Sequence, residues 1–152
     1  MKLRIAILLF VLTCIMACEK KTKYSNIPDI SSLGVTPTTF RGGYAFDTVH
    51  MSFHFTDGDG DIGNSTTSGK YDIYLIDSRT DSSLGFFFPD LSGVQISAEG
   101  LSGICYLDIP AAYFTLRPDH KVLDTVQYSI YLVDRADHKS NVLITPKLYL
   151  TQ

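Results

Sequence analysis

The sequence predicts an all-β protein built from short antiparallel strands as a sandwich or barrel. Between Val49 and Thr56, apolar and polar side chains alternate, which is the period of a strand with one face buried. Two heptads, YDIYLID at 71–77 and YSIYLVD at 128–134, are rich in the β-branched and aromatic residues that favour strands. No segment repeats its apolar residues at a sustained helical spacing. Short strands separated by turn signals therefore predict the fold class.

The other elements follow from the same alternation. Shorter strands are expected near Val35 and at 85–88 (GFFF), and longer ones at 103–109 (GICYLDI) and 142–150 (VLITPKLYL). Pro146 cannot donate to a sheet ladder, so the last of these should be an edge strand or a broken one. AAYFTLR at 111–117 fits a single helical turn. The apolar phases of the strands predict that the following side chains are buried: Phe53, Phe55, Ile73, Leu75, Ile130 and Leu132.

The first 17 residues have the composition of a secretory signal peptide. Lys2 and Arg4 precede an apolar run that is too short and wrongly flanked for a spanning helix. The ending at 15–18, Ile-Met-Ala-Cys, resembles the lipobox of bacterial lipoproteins. That resemblance implies cleavage before Cys18, a diacylglyceryl thioether on its sulfur and usually an acylated amine. The alternative is a plain secreted protein with an accidental cysteine at the cleavage site.

The composition of the processed chain limits the classes of partner that it is expected to bind. Removing 17 of the 152 residues leaves 135, a length suited to one domain. The leader holds two of the 13 basic residues and none of the 16 acids, so 11 bases face 16 acids and the net charge becomes −5. This balance argues against a nucleic-acid partner. Cys105 stands alone in the processed domain and is expected to be a buried structural thiol. We expect 18–32 to be a lipidated tether and 33–152 to be the domain.

Two motifs resemble a known family. The first is Phe-x-Phe-x-DGDGDIG, which ends at Gly63, and the second is the run from Tyr128 to Asn141, which follows Y-x-I-x-L-x-D-R-A. The chain is similar to small Gram-negative lipoproteins with one immunoglobulin-like or fibronectin-III-like domain. It departs from their pattern at 137–138, where Asp-His replaces Gly-Asn. The resemblance implies an antiparallel β-sandwich of about seven strands and an envelope location, and it implies no reaction.

In such a sandwich, 57–69 is the loop between strands B and C, and 135–141 is the loop between strands F and G. These two loops lie at the same end of the fold. Five carboxylates should therefore gather there, and alternating hard oxygen ligands suit calcium. The sequence thus offers a calcium site with the following candidate ligands: Asp57, Asp59, Asp61, Asp134 and Asp137.

The same loop has a simpler interpretation as a turn, in which aspartates cap the backbone and glycines adopt positive φ. The sequence favours this interpretation slightly over the metal site. An EF-hand is excluded, because counting from Asp57 places Ile62 where that loop needs glycine and Ser68 where it needs glutamate. Catalysis by these carboxylates is not expected, because glycosidases hold two carboxyls across a cleft and no cleft-forming insertion is visible.

The sequence therefore predicts a non-catalytic binding or accessory module that presents its B–C and F–G loop end to an envelope protein or glycan. The alternatives are a hydrolase of envelope polymers and a structural spacer without a ligand. No nucleophile elbow, phosphate-binding glycine loop or HExxH helix is present to support an enzyme. We expect attachment to the outer membrane. Its periplasmic face is favoured over the cell surface, because EKKTK after Cys18 is basic apart from Glu19, unlike the acidic stretch that marks surface export in some related lipoproteins.

Overall fold

The computed structural model describes residues 24–63, 68–89, 91 and 94–152. These residues form an all-β structure with one short 3-10 helix at Ala111–Tyr113 and no α-helix. The predicted Cys18 anchor and most of the predicted tether lie outside the described residues. The described strands are the following: β1 Asp29–Thr36, β2 Thr39–Arg41, β3 Thr48–Asp57, β4 Ile73–Asp77, β5 Ser83–Phe86, β6 Leu101–Pro110, β7 Leu123–Val126, β8 Tyr128–Leu132, β9 Leu143–Ile144 and β10 Leu148–Thr151.

The first sheet contains β3 between β1 and β6, both antiparallel to it. The alternation that predicted β3 is confirmed, because its odd-numbered residues from Val49 to Asp57 are all buried. Phe53 lies opposite Cys105, whose thiol is also buried. Burial raises the pKa of that thiol to about 12, so Cys105 remains protonated and serves the core.

The second sheet has the order β5-β4-β8-β9. The two heptads form neighbouring strands in it, with Ile73 opposite Leu132 and Leu75 opposite Ile130. β8 follows β7 after a single residue, but β7 belongs to a third sheet, of order β2-β10-β7. The chain thus passes from one sheet to another at Gln127.

The strand predicted at 142–150 is broken. β9 ends at Ile144 and β10 begins at Leu148, so the interruption contains Pro146, whose missing N–H cannot complete a ladder. This division, that of β7 from β8, and the short β2 explain why the described residues form ten strands rather than about seven. β10 pairs antiparallel with β7 and parallel with β2.

All three sheets contribute to one hydrophobic core. The six side chains expected in it are confirmed as buried, at 0% to 4% exposed. Aromatic rings join its layers, since Phe114 contacts Phe40 and Tyr128 edge to face, with ring centroids 5.3 and 5.4 Å apart. Such pairs add stabilisation beyond the apolar area they bury.

The domain begins before residue 33. Residues 29–32, assigned from the sequence to the tether, lie in β1, and Ile30 is buried. Asn141 holds this strand across the fold, because its Oδ1 accepts a hydrogen bond from Ile30 N and its Nδ2 donates one to Ile30 O, each 2.8 Å long. The polar composition of 19–32 suggested a tether, but the backbone of 29–32 is ordered by pairing with β3.

A buried charge network lies where β4 ends and β7 begins. Arg79 donates to both carboxylate oxygens of Asp77, to Asp124 and to the Thr115 carbonyl, and Arg117 donates to Asp124 as well. Hydrogen bonds from Arg117 are the main cause that holds the pKa of Asp124 well below its usual range. Each buried charge here has a partner of opposite sign, the condition under which ionised groups are tolerated inside a protein.

No helix among the described residues is long and apolar enough to cross a membrane.

Replacing Phe53 with alanine should lower the free energy of unfolding by about 3–5 kcal/mol, because a fully buried ring would leave a cavity in the central strand. Ile104→Ala is the control, since Ile104 lies in the adjacent strand but is 56% exposed. Urea unfolding followed by circular dichroism measures both variants. Equal, small losses would place Phe53 at the surface and contradict the register of β3.

Arg79→Met should lower the free energy of unfolding by about 3–5 kcal/mol at neutral pH, because Asp77 and Asp124 would lose a partner inside the protein. The deficit should shrink as pH falls below about 4, the unfolded pKa of aspartate. The folded pKa values of both groups are lowered, so their contribution is present above that pH and is lost on acidification. The control is Lys121→Met at an exposed position.

A pH-independent difference between wild type and Arg79→Met, or a loss no larger than that of Lys121→Met, would contradict this account of the network.

Candidate functional site

Strand geometry brings the two predicted loops together. β4 begins where β8 ends, with Ile73 opposite Leu132, so the chain before β4 and the chain after β8 leave the sheet at the same end. Direct contacts confirm this. The backbone N–H of Arg135 donates to the carbonyl oxygen of Asp61 at 3.3 Å, and Arg135 Nε donates to the same oxygen at 2.8 Å.

Three aspartates of the 57–69 loop form a compact group, which we call the aspartate cluster: Asp57, Asp59 and Asp61. Asp57 is the last residue of β3 and is buried, Asp59 is exposed and Asp61 is half-buried. One carboxylate oxygen from each lies within 4.8 Å of those of the other two. The glycines between them permit this curvature, because Gly60 has a φ of 70°, and a Cβ there would lie 2.5 Å from Ile96 Cδ1.

Asp57 is the structural centre of the cluster. Its Oδ2 accepts a hydrogen bond from Ile62 N at 3.3 Å, which closes the turn. Its Oδ1 is buried and has no hydrogen-bond partner in the part of the chain that the structure describes. Burial, followed by the charges of Asp59 and Asp61, raises the pKa of Asp57 to about 6, while the amides of Ile62 and Asp61 act in the opposite direction. One oxygen of this residue thus serves the turn, and the other remains available to a ligand.

Asp61 repeats the pattern in a more exposed position. Its Oδ1 is also buried and has no hydrogen-bond partner within 24–63, 68–89, 91 and 94–152. Burial raises the pKa of Asp61, the charges of Asp134 and Asp59 raise it further, and electrostatic interactions with Arg135 and His138 lower it. The site therefore has a local excess of negative charge that nearby bases offset only in part.

The other two candidate ligands have different partners. Asp134 is buried; its Oδ1 accepts a hydrogen bond from His138 N at 2.7 Å, and its Oδ2 lies 3.0 Å from His138 Nδ1. Asp137 is exposed and pairs with Lys70, at 2.8 Å. It has a φ of 66°, the left-handed conformation that glycine would supply there in the family pattern. Three of the five predicted ligands therefore lie together in the aspartate cluster. The other two, Asp134 and Asp137, contact His138 and Lys70 instead.

The first described residues attach to the same end, which sequence reasoning missed. Gly58 N donates to Ser25 O at 2.7 Å, and Tyr24 N donates to Glu99 O at 3.1 Å. A Cβ on Gly58 would meet the carbonyl oxygen of Tyr24, so this crossing requires glycine. The sequence feature that could have predicted this is the spacing of Pro28 and Ile30. These apolar residues are two positions apart, as on one face of a strand, and both are buried at the start of β1.

An aromatic surface lies beside the loops. Tyr74 and Tyr131 are stacked on adjacent strands, with centroids 5.2 Å apart and an interplanar angle of 13°. Lys139 Nζ lies 3.7 Å from the centroid of the Tyr131 ring, and Tyr71 contacts Tyr74 edge to face. The heptads were recognised as strands, but their tyrosines were not recognised as a surface. These rings occupy the face of β4 and β8 opposite Ile73 and Leu132, which are buried.

Comparison with known proteins gives no family: no protein-family model matches this sequence, and no curated protein matches it.

Proposed function

We propose that this chain is a lipid-anchored, non-catalytic binding module of the bacterial envelope, and that its binding end is formed by loops 57–69 and 135–141. The observation that carries the proposal is the pair of hydrogen bonds from Arg135 to Asp61, residues 74 positions apart in the chain. These contacts make one surface from two loops. A surface built from loops on a rigid sheet is a common arrangement for recognition.

We also propose that the fold is of the immunoglobulin-like, fibronectin-III-like type. Sheet order supports this assignment, because β1, β3 and β6 correspond to strands A, B and E, and β4, β8 and β9 to strands C, F and G. In this architecture the B–C and F–G loops form a binding end in variable domains.

The surface chemistry of this end favours a polar partner such as a protein or a glycan. The loop end carries both acidic and basic side chains, including Asp59, Lys70 and Asp137. The stacked rings of Tyr74 and Tyr131 lie beside them. Aromatic rings with a polar tip combine apolar contact area with hydrogen bonding, which suits such partners.

The proposed lipid anchor on Cys18 limits how far from the membrane the partner can lie. Tyr24 lies only six positions after Cys18, so a fully extended chain between them spans at most roughly 20 Å. Ser25 contacts Gly58, so the chain enters the domain at the loop end. A lipid on Cys18 would therefore hold this end close to the bilayer surface, and the partner would lie at the membrane, which we propose is the periplasmic face of the outer membrane.

Cys18→Ala should remove the protein from the membrane fraction or leave its leader uncleaved, because the acyl chains supply the membrane affinity. Cys105→Ala is the control, since it removes the other cysteine of the processed chain without touching the leader. Fractionation, with mass spectrometry of the N-terminal peptide, provides the measurement. A Cys18→Ala protein that stays in the membrane with a cleaved leader would contradict lipid anchoring.

The binding end can be located by photo-crosslinking in intact cells. A photoreactive residue at Ala136, exposed in the 135–141 loop, should give a discrete crosslinked species. The same residue at Ser82, exposed at the opposite end of β4, should not. A crosslinked species at Ser82 and none at Ala136 would place the binding surface elsewhere, and none at either position would favour a spacer.

A further inference from the structure

We propose that the aspartate cluster is a binding site for one hard divalent cation, with calcium as the matching ion. Asp57, Asp59 and Asp61 each supply one carboxylate oxygen. The inference goes beyond the proposed function, because the ion would bind to the isolated protein without a partner.

The spacing of the three oxygens is that of ligands on a single ion. Calcium binds oxygen at about 2.3–2.6 Å, so two ligands on opposite sides of one ion lie roughly 5 Å apart. The three carboxylate oxygens all lie within 4.8 Å of one another. All three can therefore contact one ion, and the exposure of Asp59 leaves room for water to fill the remaining coordination positions.

The unpartnered oxygens are the second, independent observation. Asp57 is 0% exposed, yet among the described residues its Oδ1 has no hydrogen-bond partner, and Asp61 Oδ1 is also buried without one there. A carboxylate oxygen withdrawn from water without a compensating contact is costly, and native proteins rarely retain one without a purpose. A turn needs only the Oδ2 of Asp57, which Ile62 N already contacts. A cation between Asp57 and Asp61 would satisfy both remaining oxygens.

The basic side chains near the aspartate cluster have other partners, so they do not take the place of a cation. The Nε of Arg135 donates to the carbonyl oxygen of Asp61, which fixes the guanidinium on the backbone of the loop. Lys70 is paired with Asp137, on the exposed side. The ligand set contains only oxygen, without imidazole or thiolate, and this favours calcium over zinc or copper.

Binding would stabilise the loop to which two other chain segments attach. Gly58 contacts Ser25, and Asp61 contacts Arg135, so fixing the cluster also fixes the entry of the chain and the second loop. An ion bound by the folded state and not by the unfolded state raises the melting temperature by mass action.

The test uses the full-length protein in detergent, freed of metal with EDTA and titrated with calcium chloride against sodium chloride of equal ionic strength. Calorimetry should show saturable binding of one calcium per chain. The melting temperature should rise by roughly 5–10 °C at a hundredfold excess over Kd. Asp59→Asn and Asp61→Asn should each weaken binding by about tenfold or more, because affinity depends on the charge of the ligand set.

Asp137→Asn is the matched control, because it removes one negative charge from the same end but outside the cluster. It should bind calcium as the wild type does. Asp59 is exposed, so Asp59→Asn should fold without calcium and melt at or above the wild-type temperature in EDTA. The proposal is overturned if the wild type shows no saturable binding, or if Asp137→Asn loses as much affinity as Asp59→Asn. Neither result bears on the crosslinking at Ala136, so the two proposals fail separately.

Discussion

The buried carboxylate of Asp57 is the constraint on which the organisation of the loop end depends. It terminates β3, the central strand of its sheet, and its Oδ2 turns the chain by accepting a hydrogen bond from Ile62. Placing the loop in this way brings Gly58 against Ser25 and Asp61 against Arg135. Asp57 therefore lies beside the residues that contact the entry of the chain and the loop after β8, and its Oδ1 has no hydrogen-bond partner among the described residues.

The two ends of the β4–β8 pair differ in whether their buried carboxylates have partners of opposite charge. Beyond Asp77, two arginines contact Asp124, and every charge is neutralised by a neighbour. The pKa of Asp124 falls below its usual range there, whereas burial and repulsion raise that of Asp57 at the other end. The first arrangement is complete and supports stability. The second leaves buried carboxylate oxygens without a partner among the described residues, which is the property expected of a ligand site.

The sequence predicted the features that depend on local pattern. Strict alternation identified β3 and its buried face, and the β-branched and aromatic composition of the heptads identified the strands β4 and β8. The shared end of the two loops followed from strand order. The partners of individual side chains could not be predicted, because they depend on contacts between distant segments: Lys70 meets Asp137 across 67 positions, and Asn141 meets Ile30 across 111. The contacts of residues 24–32 were missed because backbone pairing, rather than composition, orders that segment.

Anomalous X-ray scattering would show directly whether the aspartate cluster binds a cation. The crystals would be grown in millimolar calcium. Data collected at a long wavelength would reveal calcium by its anomalous signal. Our account predicts one peak within about 2.3–2.6 Å of Asp57 Oδ1, shared with oxygens of Asp59 and Asp61. A well-ordered loop with no peak there, or with calcium bound by Asp134 and Asp137 instead, would contradict it.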